Sequence, residues 1–384
     1  MTNHFALGMT RATELTKAGK LADATALIQS LLNHTASTAP VGLGDAVIEG
    51  SFTRLNDTDP ADADKAEPGK SARQRTSLRE TLRKIKAGAM PEQAPFAKAP
   101  APLPAGAAFL LLTHRNGGDQ RNYKLYIPAK RPASPMPLIV MLHGCTQSPD
   151  DFAAGTGMNP LAERHGFLVA YPAQPTDANA NKCWNWFKPE DQRRERGEPA
   201  LIAGLTREIM HDFPVDAARI YIAGLSAGGA AAAIVAAAYP DVFSAVGVHS
   251  GLPVGAASDI PQAFSAMRSG AHGVVLTHAM PTIVIHGTAD ATVHPSNGKA
   301  VTAQALHCFD RLNPTVCKGV SVGGRSFRKT SYASVDGRSM CEHWEIDGAG
   351  HAWAGGHPKG SFTDPTGPAA SEEMLRFFLQ HAKG

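Results

Sequence analysis

The stretch Gly224-Leu225-Ser226-Ala227-Gly228 sets one serine among small residues, between the strand-like run Arg219-Ile220-Tyr221-Ile222-Ala223 and an alanine-rich helical run from Gly229 to Tyr239. Strand, tight turn and helix in that order hold a serine hydroxyl on an exposed corner, and side chains bulkier than those of Gly224, Ala227 and Gly228 would clash there. The N-terminal amides of the following helix would face any negative charge developing on a carbonyl oxygen attacked by that serine. A glycine-rich turn with a surface serine is the alternative, but the strand and helix on either side favour a nucleophile.

A serine hydroxyl is a weak nucleophile and needs a base that is itself oriented by a carboxylate. With the serine on such a turn, the chain order expected is serine, then Asp or Glu, then His. Thr282-Ile283-Val284-Ile285-His286 reads as a strand, and Gly287-Thr288-Ala289-Asp290 places Asp290 just past its carboxyl end. His351 lies in the loop Gly348-Ala349-Gly350-His351-Ala352-Trp353, after the strand-like Glu342–Ile346. Asp259, Asp310 and Asp336 lack an incoming buried strand; His286 lies within a strand, and His294, His343 and His357 lack the loop setting of His351. Ser226, Asp290 and His351 are therefore the expected catalytic set.

An oxyanion needs two backbone N–H donors, one after the nucleophile and one from an earlier strand-to-helix loop. Ala227 supplies the first; Cys145, in Leu142-His143-Gly144-Cys145-Thr146-Gln147, is the expected second, with Thr146 as the fallback. A buried structural cysteine at 145 would still leave its amide free to donate. Cys183-Trp184-Asn185-Trp186-Phe187 concentrates aromatic surface in a loop, so Trp184 and Trp186 either line an apolar substrate cleft or plug the core.

Elements must position these residues. Tyr123–Ile127, Pro137–Leu142, Phe167–Tyr171 and Ala245–His249 read as further strands, and Asp150–His165, Pro199–Phe213 and Ser371–His381 as helices. Alternating strands and helices with near-continuous apolar strands predict an α/β fold, a mostly parallel sheet covered by helices on both faces. In such sheets sites form at the carboxyl ends of strands. The domain so defined is residues 107–384. Residues 1–34 are expected to form a helical extension, with Leu21, Ala24, Leu27, Ile28 and Leu31 at helical spacing. Residues 35–106, rich in Ala and Pro, are expected to be a disordered linker. Within it Arg73–Lys86 reads as a basic amphipathic helix, either for an anionic surface or, as charge runs more often are, a solvated helix lying on the catalytic domain.

The chain has 384 residues, of which 43% are hydrophobic, enough for a large domain with a real core. A formal charge of +3 gives no argument for a nucleic-acid partner. No apolar run reaches membrane-spanning length. The opening residues Met1 to Leu7 lack a basic segment followed by an apolar one, so a cytoplasmic location is expected. Five cysteines without a CxxC pair give no zinc or thioredoxin-like motif, and Gly69-Lys70-Ser71 lacks the earlier glycine of a phosphate-binding loop. No metal or organic cofactor is expected.

Five motifs in one order, His143-Gly-Cys-Thr-Gln147, Cys183-Trp-Asn-Trp-Phe187, Gly224-Leu-Ser-Ala-Gly228, His286-Gly-Thr-Ala-Asp290 and Gly350-His-Ala-Trp353, resemble the polyhydroxybutyrate depolymerase-type esterases of the α/β-hydrolase superfamily. The resemblance spans about residues 107–383. It implies an α/β-hydrolase fold, Ser226, Asp290 and His351 as triad, Cys145 at the oxyanion hole, and a Cys145–Cys183 disulfide tying two active-site loops. It implies hydrolysis of short-chain 3-hydroxyacid polyesters or oligoesters; related domains cleave feruloyl, acetyl-xylan and other short acyl esters. A non-catalytic protein that binds polymer granules is the alternative of another class. Secreted members often carry a leader and a polymer-binding domain, which makes an extracellular location the alternative to a cytoplasmic or granule-associated one.

Overall fold

The computed structural model describes residues 103–383. The expected helical extension 1–34 and the basic helix Arg73–Lys86, with all but the end of the linker, lie outside the described residues. No helix among the described residues is long and apolar enough to cross a membrane.

The strands are β1 (Ala108–Asn116), β2 (Asp119–Ile127), β3 (Met136–Leu142), β4 (Leu168–Pro172), β5 (Val215–Leu225), β6 (Ala245–His249), β7 (Thr282–Gly287), β8 (Asn313–Val320), β9 (Ser326–Ala333) and β10 (Ser339–Ile346). They form one sheet in the order β1-β2-β4-β3-β5-β6-β7-β10-β9-β8. From β4 to β10 every neighbouring pair is parallel, while β1, β2, β9 and β8 extend the two edges antiparallel. Every residue of β3, β4, β6 and β7 is buried. Two faces must therefore be covered, and alternation along β3 shows that they are. Leu138, Val140 and Leu142 join one apolar cluster, Ile139 and Met141 the other.

Helices α1 (Pro149–Thr156), α2 (Met158–His165) and α7 (Ala370–Phe378) contribute to the second cluster. Helices α3 (Gly197–Asp212), α4 (Ala227–Ala238), α5 (Ile260–Ser269) and α6 (Ser296–Leu306) contribute to the first. The single helix expected over Asp150–His165 is two. Gly157 takes a left-handed φ of 64°, closes α1 with its N–H on Ala153 O, and restarts the chain as α2.

Helices α5 and α6 and the strands β1, β8 and β9 were not anticipated from sequence. The edge strand β8 is exposed along nearly its whole length, so it carries no alternating apolar signal, and its pairing with β9 is held by backbone hydrogen bonds.

Candidate active site

The elbow forms because backbone packs on backbone. A Cβ on Gly228 would lie 2.1 Å from Leu142 O, and one on Gly224 would lie 2.3 Å from the Gly228 carbonyl carbon. Only glycine lets α4 start this close to the end of β3. Ser226 is held at φ 59°, ψ −121°, a left-handed-side conformation that L-residues avoid, and its N–H bonds to His249 O at 2.9 Å. The serine is 8% exposed, and its Oγ has no hydrogen-bond partner among the described residues.

Asp290 and His351 reach each other from different strand ends. In the sheet order, β7 lies two strands from β5, and β10 three. At roughly 4.8 Å per strand, loops must carry the side chains back across about 10–14 Å. Ala289 N–H bonds to Ala349 O at 3.0 Å and Thr288 N–H to Ile346 O at 2.9 Å, locking the two loops together. His351 Nδ1–H donates to Asp290 Oδ2 at 2.7 Å. The other oxygen, Oδ1, accepts from Thr292 and Val293 N–H, each at 2.9 Å.

Burial alone would raise the Asp290 pKa, but hydrogen bonds from His286 and His351, the His351 charge and the Val293 amide outweigh it, and the carboxyl is held well below the usual range. This is a carboxylate ionised at neutral pH and fixing one edge of an imidazole, the arrangement that leaves Nε2 available as a base.

His249 ties the histidine loop to the elbow. Its carbonyl takes the Ser226 amide, and its ring Nε2 accepts from Ala354 N–H at 3.0 Å while stacking on Trp353, with centroids 5.0 Å apart. Burial, then the neighbouring charges of His286 and His351, push its pKa down to about 3, so it is the neutral acceptor that this bond needs. The sequence reading does not single out His249, and it sets His286 aside as a catalytic base because it lies within a strand. His286 Nε2–H bonds Val293 O at 2.9 Å and lies 3.4 Å from Asp290 Oδ2.

The loop after β3 lies against the elbow: a Cβ on Gly144 would be 3.6 Å from Leu225 O. Gln147 shapes it, accepting Gly144 N–H at 2.9 Å through Oε1 and donating through Nε2 to Asp151 and to Ser361 O. The Thr146 amide is occupied by Asn181 O at 2.7 Å, which removes the fallback donor. The amides of Cys145 and Ala227 have no such partner among the described residues, Ala227 being the first residue of α4. A disulfide joins Cys145 and Cys183, with Cα atoms 4.2 Å apart, just below the usual lower limit of about 4.4 Å.

The two tryptophans correct the cleft expectation. Trp184 is fully buried, donates its Nε1–H to His143 O at 3.0 Å and carries the Arg121 guanidinium 5.6 Å from its ring centre; Trp186, at 5%, is in the same core cluster. Burying roughly 150–250 Å² of tryptophan stabilises the fold by about 4–6 kcal/mol at ~25 cal/mol/Å², so these rings anchor the loop instead of walling a pocket. Among the described residues no group of His, Cys, Asp or Glu side chains is arranged to hold a metal ion.

Sheet order, parallel core and strand–elbow–helix geometry together define an α/β-hydrolase fold. Residues 121–321 match the family described as Esterase PHB depolymerase, and the chain belongs to that family. It is 34% identical over 250 residues to poly(3-hydroxyalkanoate) depolymerase C of Paucimonas lemoignei, covering 62% of this chain and 59% of that protein. It is 32% identical over 165 residues to feruloyl esterase B of Neurospora crassa, covering 41% of this chain and 54% of that protein. The chain thus spans a little over half the length of these curated relatives. Among solved structures, the acetyl xylan esterase from Aspergillus awamori superposes with a TM-score of 0.56 at 19% identity, over 71% of this chain and 99% of that one.

Proposed function

We propose that this protein is a serine carboxylesterase that hydrolyses short-chain 3-hydroxyacid oligoesters or polyesters. The observation that carries the reading is a serine on a strained elbow, tied through His249 to the loop where an ionised Asp290 orients His351. Ser226 Oγ attacks the ester carbonyl while His351 Nε2 takes its proton. Asp290 holds the imidazole in the Nδ1–H tautomer and stabilises the imidazolium. The amides of Cys145 and Ala227 receive the oxyanion. His351 then protonates the departing alkoxide, leaving Ser226 acylated. Water, deprotonated by the same histidine, attacks the acyl-enzyme and frees the acid.

Support for the polyester substrate comes from the relation to the Paucimonas depolymerase. A second reading, hydrolysis of feruloyl or acetyl-xylan esters, is favoured by the relation to feruloyl esterase B. Release rates on amorphous polyhydroxybutyrate, hydroxybutyrate oligomers, feruloyl esters and acetyl xylan, measured side by side, decide between them. Hydroxybutyrate release at least about tenfold faster supports the first; faster aryl or acetyl release supports the second. The N-terminal residues 1–104 are assigned to holding the enzyme on a granule surface, not to the chemistry.

A further inference from the structure

We propose that Glu198 is a positioning residue for the oxyanion loop, setting the place of the Cys145 amide from beneath through Gln174 and Asn185. This rests on the reading of Cys145 as an oxyanion donor. Glu198 stands in the first turn of α3, 5% exposed, with its own N–H on Asp191 Oδ1 at 2.8 Å. Its Oε2 accepts from Asn185 N–H at 2.8 Å; its Oε1 accepts from Asn185 Nδ2 at 2.8 Å and from Gln174 Nε2.

Both partners lead to the loop. Gln174 Nε2 also donates to Cys183 O at 2.9 Å, on the far arm of the disulfide to Cys145. The Gln174 amide donates to His143 Nε2 at 3.1 Å, and His143 Nδ1–H donates to Gly144 O at 2.7 Å, one residue before Cys145. Asn185 lies between Trp184, which holds His143 O, and Trp186. One carboxylate therefore fixes both chain segments that converge on residue 145.

All three groups on Glu198 are donors, so the arrangement fits an ionised carboxylate. A carboxamide presents one oxygen and an NH2 group, and in either orientation the NH2 would face a donor. Protonation does the same with an O–H.

The charged and titratable groups around Glu198 are Asp191 in the turn Pro189–Gln192, Arg121 on β2, and His143 after β3. Burial, then Asp191, push the Glu198 pKa up to about 7; the Asn185 and Gln174 hydrogen bonds and the Arg121 charge oppose this. Arg121 reaches Glu198 through Gln174, whose Oε1 accepts from its guanidinium. Burial pushes His143 down to about 4, so it stays the neutral acceptor of the Gln174 amide.

The test compares full-length wild type with Glu198→Gln on p-nitrophenyl butyrate from pH 5 to 9. Displacing an oxyanion donor by a fraction of an ångström slows the chemical step without weakening ground-state binding, so kcat is expected to fall about 10- to 100-fold while KM stays within about threefold. Protonating Glu198 in wild type should cost no more than the substitution does, so the ratio of wild-type to Glu198→Gln kcat should be largest at high pH and shrink toward 1 as pH falls. Asn185→Ala, which keeps the carboxylate and deletes one donor, should give a smaller fall in kcat with the same unchanged KM; it carries the test if Glu198→Gln does not fold. A folded Glu198→Gln with kcat within about twofold of wild type at high pH, or with kcat lowered by the same factor at every pH from 5 to 9, overturns the proposal. Wild type that does not hydrolyse the ester at all would instead fault the proposed function.

Discussion

His351 Nδ1 stands 2.7 Å from Asp290 Oδ2 although 61 residues separate them in sequence. Neither residue is fixed by its own strand. The contact exists because the loops after β7 and β10 are stitched together by Thr288 and Ala289 amides. Replacing Asp290 by Asn keeps the shape but lets the amide NH2 face Nδ1, selecting the wrong tautomer. Turnover should fall about 10⁴-fold. Adding His351→Ala should cost little more, because the residues act as one unit. Steady-state rates on a soluble ester check this, and additive losses would contradict it.

Asp290 also predicts an acid dependence of stability. Its folded pKa lies below the unfolded value of about 3.9, so between the two the unfolded state binds more protons. Its contribution is fully present above the unfolded pKa and is lost as pH falls toward the folded one. Urea midpoints measured from pH 5 down to 2 should decline less steeply in Asp290→Asn than in wild type. Parallel curves would show that the carboxylate gains nothing on folding.

Gly228→Ala would drive a methyl group to 2.1 Å from Leu142 O, a backbone atom that cannot step aside. Overpacking of this kind costs roughly 1–3 kcal/mol or more, and here it also shifts the elbow. A lowered thermal midpoint together with at least a tenfold loss of kcat is expected. A variant with normal stability and turnover would mean that the elbow tolerates a wider gap from β3.

Reduction of Cys145–Cys183 opens a closure of 38 residues, which corresponds to about 4 kcal/mol in the chain-entropy account. Cys183→Ser should therefore melt at a lower temperature and turn over more slowly, since one anchor of the Cys145 loop is gone. Equal melting and equal rates would assign the bond no structural role.

The granule assignment predicts that deleting residues 1–104 preserves turnover of a soluble ester while reducing salt-sensitive association with native granules. Equal association with and without the segment would leave it only a linker or a packing element for the catalytic domain.

The parallel core of the fold was legible because its strands are short, apolar throughout and separated by helical runs. Thr282–His286 and Ala245–His249 needed no tertiary information. The small residues around Ser226 were equally legible, since steric demand at the elbow leaves a local signature. What the sequence did not disclose was of another kind. The exposed strand β8 has no burial pattern to read. Glu198 and His249 act through partners remote in the chain, such as Ala354, 105 residues from His249. Trp184 and Trp186 have the composition of a pocket wall and the position of a core anchor, and only packing separates the two.

The central claim is that Ser226 is the nucleophile. Incubating the full-length protein with a fluorophosphonate and locating the adduct by peptide mass spectrometry tests it most directly. One adduct per chain on Ser226 is predicted, with ester hydrolysis lost in step with labelling, and both absent from a folded Ser226→Ala variant. Labelling of another residue, or hydrolysis by Ser226→Ala at near wild-type rate, would contradict the account.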